Sequence, residues 1–235
     1  NANNIFFGTN TLQNNINGIA NTAIGEENLS QNTSGNSNTA FGHKSLSNNT
    51  IGSFNTAFGT LSLYQNVDAS WNTGIGHLSL FSNLNGISNT AIGAYALFSN
   101  EYGSGNTSIG AFTLKNSVGD ENTAVGQDAM RENISGNYNI ALGRNAIKYN
   151  IDGEGNIAIG YNAGTNNISG NNNVLIGKNA EVLNDGIENA IAIGAGAVVS
   201  ENNTIQLGAD GNDSGYPSIK KIFTKGIIKS NGIDI

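Results

Sequence analysis

A repeat of 17 residues runs through most of this 235-residue chain. The motif Asn-Thr-Ala-Ile-Gly starts at Asn21 and recurs with small changes, and its closing glycines lie 17 residues apart except for one step of 16 and a last step of 14. A fixed period of this length indicates one structural unit stacked repeatedly on the next. The closing glycines are Gly8, Gly25, Gly42, Gly59, Gly76, Gly93, Gly110, Gly126, Gly143, Gly160, Gly177, Gly194 and Gly208.

Positions within each repeat are counted here from the closing glycine, which is position 0. Position −1 is apolar throughout, from Phe7 to Leu207, and position −3 is always β-branched, which favours an extended backbone. Side chains two residues apart share one face of a strand, whereas the residue between them, usually Ala, faces the other way. We therefore expect the −1 and −3 columns to be buried together, and the Ala column to form a small flat face that packs against neighbouring chains.

Two further columns follow the glycine. Position +4 is apolar, as in Leu29 and Leu97, and Asn at +7 is often followed by Gly at +10. The Asn and Gly columns are typical of turns, in which a left-handed backbone is tolerated and amide side chains can stack from repeat to repeat.

These columns predict an all-β fold, a parallel β-solenoid of about twelve 17-residue rungs over residues 1–208. A period of 17 is too short for two packed helices, and the regular glycines oppose one long helix. A leucine-rich horseshoe would need a longer period and an LxxLxL strand, which is absent. Residues 209–235 break the repeat, contain the single proline, Pro217, and alternate apolar with polar residues, so we expect them to form a C-terminal cap or collar of strands.

The last two complete motifs resemble a known family. Asn189–Gly194, followed 14 residues later by Asn203–Gly208, is similar to the head repeats of trimeric autotransporter adhesins. The longer repeats resemble 17-residue arrays of bacterial surface proteins and of phage or giant-virus fibres. This resemblance implies a left-handed β-roll, a homotrimer of chains side by side, an extracellular place on a cell surface or virion fibre, and attachment to another surface. It also implies that the C-terminal segment leads to a stalk or chaperone domain.

Composition excludes several partners. The formal charge is −7 and the few Lys and Arg residues are spread along the chain, so nucleic acid is not expected as a partner. No apolar stretch approaches the ~18 residues of a membrane span, so we expect no membrane insertion. The chain has no cysteine, which removes disulfides and thiolate metal sites.

No catalytic constellation emerges from the sequence. His43 and His77 lie two rungs apart, too far to share a metal ion, and the carboxylates are scattered. Asp210 and Asp213 offer oxygens for calcium, but an acidic turn is the simpler interpretation. No phosphate-binding glycine motif occurs. We predict a protein that is not an enzyme and that has neither a cofactor nor a metal site.

One zone departs from the polar pattern of its columns. Positions +2 and +5 are mostly polar in the other rungs, so we expect both columns to face solvent. Over consecutive rungs in the middle of the chain they become apolar and aromatic together, with Trp71 nearby. This zone, called the aromatic patch below, is a candidate surface for a partner chain or a sugar. It can equally stiffen the middle rungs or pack against a neighbouring subunit. Its members are Leu61, Tyr64, Leu78, Phe81, Tyr95, Phe98 and Phe112.

The sequence thus predicts a structural or adhesive fibre head that binds a glycan or protein receptor on a host surface. Two alternatives remain. An ice-binding solenoid would use the Thr column at −3, although that column becomes Ile140, Ile157 and Val174 further along and no two-rank Thr-x-Thr plane is present. A tail-spike-like protein that binds or depolymerises polysaccharide would need a pair of carboxylates on one face.

Overall fold

A computed structural model describes residues 3–209, 215–216, 229–230 and 233–234. These residues form strands, turns and bends without any helix, so none of them belongs to a helix that could cross a membrane. The strands are β1 (Ile5–Phe7), β2 (Thr22–Ile24), β3 (Thr39–Phe41), β4 (Thr56–Phe58), β5 (Thr73–Ile75), β6 (Thr90–Ile92), β7 (Thr107–Ile109), β8 (Thr123–Val125), β9 (Ile140–Leu142), β10 (Ile157–Ile159), β11 (Val174–Ile176), β12 (Glu181–Val182), β13 (Ile191–Ile193), β14 (Val198–Val199), β15 (Ile205–Leu207), β16 (Lys229–Ser230) and β17 (Ile233–Asp234).

Thirteen of these strands form one parallel sheet in chain order, from β1 to β11 and on through β13 to β15. Each strand pairs with the equivalent residues of the next repeat, so Thr22 lies opposite Thr39 and Ala23 opposite Ala40. One repeat is therefore one rung, and the predicted β-solenoid is confirmed. At ~4.8 Å between strands, thirteen strands span about 58 Å.

The predicted assignment of the strand faces is wrong. Ala91 at position −2 has no exposed surface, whereas Ile92 at position −1 is 37% exposed and Phe58 is 49% exposed. The Ala column points into the rung, where it meets the Leu column at +4, which is fully buried from Leu29 to Ile147. Space in the interior differs from rung to rung: at Gly74 of the −2 column even a Cβ would lie 2.6 Å from Ser62 Oγ, which occupies the position of the usual alanine methyl group.

One rung shows how tightly the two inward columns are matched. Position −2 carries a large residue at Leu175, and the facing +4 position is Gly164 instead of Leu. A Cβ on Gly164 would lie 2.8 Å from Leu175 Cδ1 and 2.7 Å from Ile147 Cγ2. The volume of the core is thus conserved from rung to rung although its residues are exchanged.

Two ladders of buried asparagines join the rungs. At position +7, Asn49 Nδ2 donates to Asn32 Oδ1 at 2.9 Å, and Asn66 Nδ2 donates to Asn49 Oδ1 at 2.8 Å. At position −4, the Oδ1 atom of each Asn accepts from the backbone N–H of the next, as Asn55 N does with Asn38 at 3.0 Å. The predicted stacking of amide side chains is confirmed at +7, and the first Asn of the motif forms a second ladder that sequence reasoning missed.

The Asn at +7 and the Gly at +10 flank a bend, as predicted, and Asn49 Nδ2 closes it by donating to Gly52 O at 3.0 Å. The expected left-handed backbone lies elsewhere. Left-handed backbone occurs at positions +2, +4 and +12 and includes the buried Leu63 with φ 51°, whereas the Asn at +7 and the Gly at +10 are not left-handed. Space favours glycine at +10, since a Cβ on Gly35 would clash with Gly52 O, although Ala69 occupies this position in one rung. The closing glycines do need their conformation, and Gly93 has φ 137°.

The C-terminal end is described only in part. β12 and β14 form a small parallel pair beside the last rungs, and β16 pairs antiparallel with β17. The Tyr216 hydroxyl is 3.1 Å from Asn179 Nδ2, which places this tyrosine against the side of the last rungs. Most of the predicted cap, 209–235, including the Asp210–Asp213 turn weighed for calcium, lies outside the described residues.

Candidate interaction surface

The outer face of the thirteen-stranded sheet is formed by the side chains at positions −3 and −1, and it is called the outer face below. Its −1 column consists of Phe, Ile, Val and Leu, with Ile75 38% and Phe41 41% exposed. Its −3 column consists of Thr, Ile and Val. No charged side chain occurs in either column, so the outer face is an uncharged strip whose −1 column is apolar along the whole solenoid. Contiguous exposed apolar surface of this extent is typical of an interaction site.

The structure brings the aromatic patch together as two stacked columns. At position +5, Tyr64 stacks on Phe81 with ring centroids 5.4 Å apart, and Phe81 stacks on Phe98 at 5.2 Å. At position +2, Tyr95 stacks on Phe112 at 5.3 Å. Tyr95 also contacts Phe98 at 5.6 Å, so the two columns form one surface.

The rings of the patch face one another along the rod. The stacked pairs are within 11° of parallel, so most ring faces are covered by the ring of the next rung and the edges face outward. A sugar that stacks on an aromatic ring needs a free face. The patch therefore suits apolar side chains of a protein partner better than the face of a sugar.

The expectation that these two columns face solvent is only partly right. Every member of the patch is half-buried, and Ser30 and Ser47 of the +5 column are buried at 4% exposure each. Their hydroxyl oxygens lie 3.0 Å apart, which links two rungs. The +5 column thus contributes to rung stacking whether it carries serine or an aromatic ring.

Positively charged side chains lie at the C-terminal end of the patch. Lys115 Nζ lies 5.8 Å from the Tyr95 ring centroid and 5.9 Å from that of Phe112, and Arg131 Cζ lies 5.7 Å from the Phe112 ring. Arg131 also forms salt bridges with Asp128 at 3.2 Å and Glu132 at 3.1 Å. The patch is bounded on this side by a charged network.

Of the other residues singled out in the sequence, Trp71 and His43 lie apart from the stacked rings, whereas His77 contacts one of them. Trp71 stacks on Phe54 with centroids 5.8 Å apart, and it is 58% exposed at position +12. His77 meets the edge of Tyr95 at 5.6 Å, whereas His43 is exposed. Within the described ranges, no three His, Cys, Asp or Glu residues are grouped closely enough to hold a metal ion.

Glu181 is a buried carboxylate near the C-terminal end. Burial raises the pKa of Glu181 above its usual 4.5, and hydrogen bonds only partly offset this. Thr165 Oγ1 donates to its Oε2 at 2.8 Å, and the backbone N–H groups of Asn166 and Val182 donate to its Oε1 at 3.0 and 3.1 Å. Asp185 has the opposite behaviour: some burial would raise its pKa, but N–H donors from Ser169 and Ile168 lower it.

Comparisons with known proteins add no identity to this description. Neither the profiles of known protein families nor the curated proteins contain a match to the chain. The described residues define a β-solenoid repeat protein with an uncharged outer face.

Proposed function

We propose that this chain is a non-enzymatic, rod-shaped head of an extracellular fibre, on a cell surface or a virion, that assembles as a homotrimer through its outer face. The supporting observation is the outer face itself, which exposes apolar side chains on all thirteen strands and carries no charge. Covering this strip in an assembly removes apolar surface from water, which is the main driving force of association. Three rods can meet around one axis with their outer faces directed inward.

The assembly is tested at Ile92 on the outer face. Ile92→Glu should dissociate the particle because it places a charge in a dry contact, and it should leave the rung folded because this side chain lies outside the core. Light scattering after size exclusion should give roughly three times 24.3 kDa for the unchanged protein and 24.3 kDa for the variant. Ser99→Glu, in the same rung but away from the outer face, is the control. A monomeric unchanged protein at micromolar concentration contradicts the proposal.

Attachment is assigned to the aromatic patch, where a host protein receptor would contact the ring edges. Its half-buried rings and the two leucines, Leu61 and Leu78, offer a continuous apolar surface over consecutive rungs. Apolar and aromatic residues of this kind supply most of the free energy of protein binding.

The patch is tested by replacing Tyr64, Phe81 and Phe98 with serine. The Ser30–Ser47 contact in the same column shows that serine fits these rungs, so the circular dichroism spectrum should be retained. Each buried anchor is worth about 1–2 kcal/mol, so binding to cells should fall at least about tenfold. Unchanged binding by the folded triple variant contradicts attachment at the patch, and binding to a glycan array would point to a sugar ligand instead.

Ice binding is a second candidate, favoured by the position of the threonine column. The structure places Thr22, Thr39, Thr56, Thr73, Thr90, Thr107 and Thr123 on the outer face of the parallel sheet, one on each of seven consecutive rungs. The adjoining −1 column carries bulky Phe and Ile side chains, which makes the surface uneven. Ice binding also needs an uncovered face, so it competes with trimer formation.

Thermal hysteresis separates the two candidates. A monomer with hysteresis that is lost in Thr90→Lys and kept in Ser99→Lys would favour ice binding. A trimer without hysteresis would favour the fibre head.

A further inference from the structure

Charged residues lie along both margins of the outer face in the C-terminal half of the rod. Position +1 follows each strand and its glycine and forms the trailing margin, and position +11 precedes the next strand and forms the leading margin. The trailing margin carries Arg144 and Lys178, whereas the leading margin carries Glu154 and Glu188. All four residues are exposed.

The carboxylates on the leading margin are held in place. Asn137 Nδ2 donates to Glu154 Oε1 at 2.8 Å, and Asn171 Nδ2 donates to Glu188 Oε1 at 2.8 Å. These bonds fix one oxygen of each carboxylate, which lowers the entropy lost when the other oxygen binds a cation.

The cations on the trailing margin form no salt bridge within the described part of the chain. Among the described residues, the salt bridges involve Lys44 and Arg131 but neither Arg144 nor Lys178. Lys178 Nζ lies 5.9 Å from the Tyr216 ring, and the Arg144 guanidinium forms no hydrogen bond to the described residues, whereas its backbone oxygen accepts from Asn162 N. Both cations can therefore accept a carboxylate from outside.

We propose that the trailing margin of one chain binds the leading margin of a second copy, with Arg144 paired to Glu154 and Lys178 to Glu188 of its neighbour. This inference rests on the proposed assembly through the outer face. In a closed ring of parallel chains, the trailing margin of each chain lies beside the leading margin of the next chain. Rotational symmetry also keeps equivalent residues of all chains at the same level along the axis. Arg144 and Glu154 are ten residues apart in a 17-residue rung, so their levels differ by about 3 Å, within the reach of an arginine.

The charges select this arrangement over an antiparallel pair. An antiparallel pair brings like margins together and sets the C-terminal half of one chain against the N-terminal half of the other. The margins of the N-terminal half carry Thr60 and Ser70 and, at Glu26, a single carboxylate in these two columns. At most one cation would find a carboxylate, at Glu26, and the other three charges would remain unpaired, whereas parallel chains pair all four.

Charge reversal tests the proposal. Arg144→Glu and Glu154→Arg should each weaken association about tenfold or more at low salt, because each leaves like charges in contact. The double variant should restore association to within about twofold, and the differences should shrink in about 1 M NaCl. Lys148→Glu is the control, since it makes the same charge change in the same rung at position +5. Sedimentation over a range of concentrations measures all four proteins.

Orientation is measured separately. The chain has no cysteine, so Gln31→Cys gives one exposed labelling site near the N-terminal end of the rod. Mixed donor- and acceptor-labelled chains should show strong energy transfer in a parallel assembly and weak transfer in an antiparallel one. Three results would each overturn the margin pairing but not the assembly. They are weak energy transfer, a double variant that does not regain association, and a Lys148→Glu variant whose association is weakened as much as that of Arg144→Glu. A monomeric unchanged protein overturns the assembly itself.

Discussion

The buried asparagine ladder at position +7 allows a quantitative test at Asn66. This side chain has no exposed surface and takes part in three hydrogen bonds. Its Nδ2 donates to Asn49 Oδ1 at 2.8 Å and to Ala69 O at 2.9 Å, and its Oδ1 accepts from Asn83 Nδ2 at 3.0 Å. Asn66→Ala removes all three bonds and leaves a cavity.

The size of the effect follows from which partners lose their last bond. Ala69 O keeps the bond from Asn55 Nδ2, and Asn83 Nδ2 keeps its bond to Gly86 O. Only Asn49 Oδ1 loses its single donor. One fully unpaired buried acceptor costs about 1–3 kcal/mol, so with two weakened partners we expect Asn66→Ala to lower the free energy of unfolding by about 2–4 kcal/mol.

A serine that occurs naturally in the +7 column indicates the effect of the milder substitution Asn66→Ser. The +7 column carries serine at Ser117, which accepts from Asn133 Nδ2 at 3.1 Å and leaves Asn100 Oδ1 without a partner among the described residues. Asn66→Ser should therefore be less costly than Asn66→Ala. Asn66→Asp should be the most costly, because an ionised carboxylate cannot donate to Asn49 Oδ1 and would be buried beside it.

Urea unfolding followed by circular dichroism measures this series, with Asn48→Ala as the control. Asn48 is half-buried in the same part of the rod, and its side chain has no hydrogen bond to the described residues. The urea concentration at the unfolding midpoint should be highest for Asn48→Ala, lower for Asn66→Ser, lower again for Asn66→Ala and lowest for Asn66→Asp. If Asn66→Ala and Asn48→Ala agree within about 0.5 kcal/mol, the ladder does not stabilise the solenoid and the reasoning is refuted.

Three further changes test the core, a turn and a buried charge by the same urea assay. Leu97→Ala should lower the free energy of unfolding by about 2–5 kcal/mol because it leaves a cavity in the core. Ile92→Ala, on the outer face, should lower it clearly less when both variants are compared as monomers. Equal losses would contradict the assignment of the two faces. Gly93→Ala should cost about 1–3 kcal/mol because its Cβ would meet Gly110 O at φ 137°. Gly105→Ala should cost less, because Trp71 and Ser88 adopt a similar left-handed φ at the same position +12 and only the Glu121 side chain is nearby; the reverse order would refute this. Burial raises the pKa of Glu181, so the folded state binds its proton more tightly than the unfolded state, and stability should fall as pH rises above about 4.5. Glu181→Gln should raise stability at pH 7 and flatten this pH dependence, because its amide can keep the three contacts; a variant that loses stability at pH 7 would contradict the argument.

The architecture could be predicted from the sequence because the period of the repeat determines which residues of successive rungs stack on one another. Once the rung is 17 residues long, the pairing of Thr22 with Thr39 and the stacking of Asn49 on Asn32 follow directly. The order of the strands in the sheet needs no further information. The same reasoning also located the stacked rings of Tyr64 and Phe81.

The sequence did not predict which face is inside, because an apolar column does not reveal the width of the space available to it. Ala91 and Ile92 are both apolar, and only the distance to the opposite Leu column decides that alanine points inward. The charged margins were missed for a different reason. Arg144 and Glu154 look like scattered charges until the outer face lies between their two columns.

The identical, in-register pairing of successive rungs also bears on how such a fibre changes in evolution. Each rung between residues 22 and 100 presents nearly the same strand, the same Asn ladders and the same Leu to the rungs above and below it. Unequal recombination between repeats of the gene can therefore delete or duplicate a whole rung without creating a new junction. Each event changes the reach of the rod by about 4.8 Å and leaves its cross-section as it was. The length of the fibre becomes an inherited quantity that varies in fixed steps.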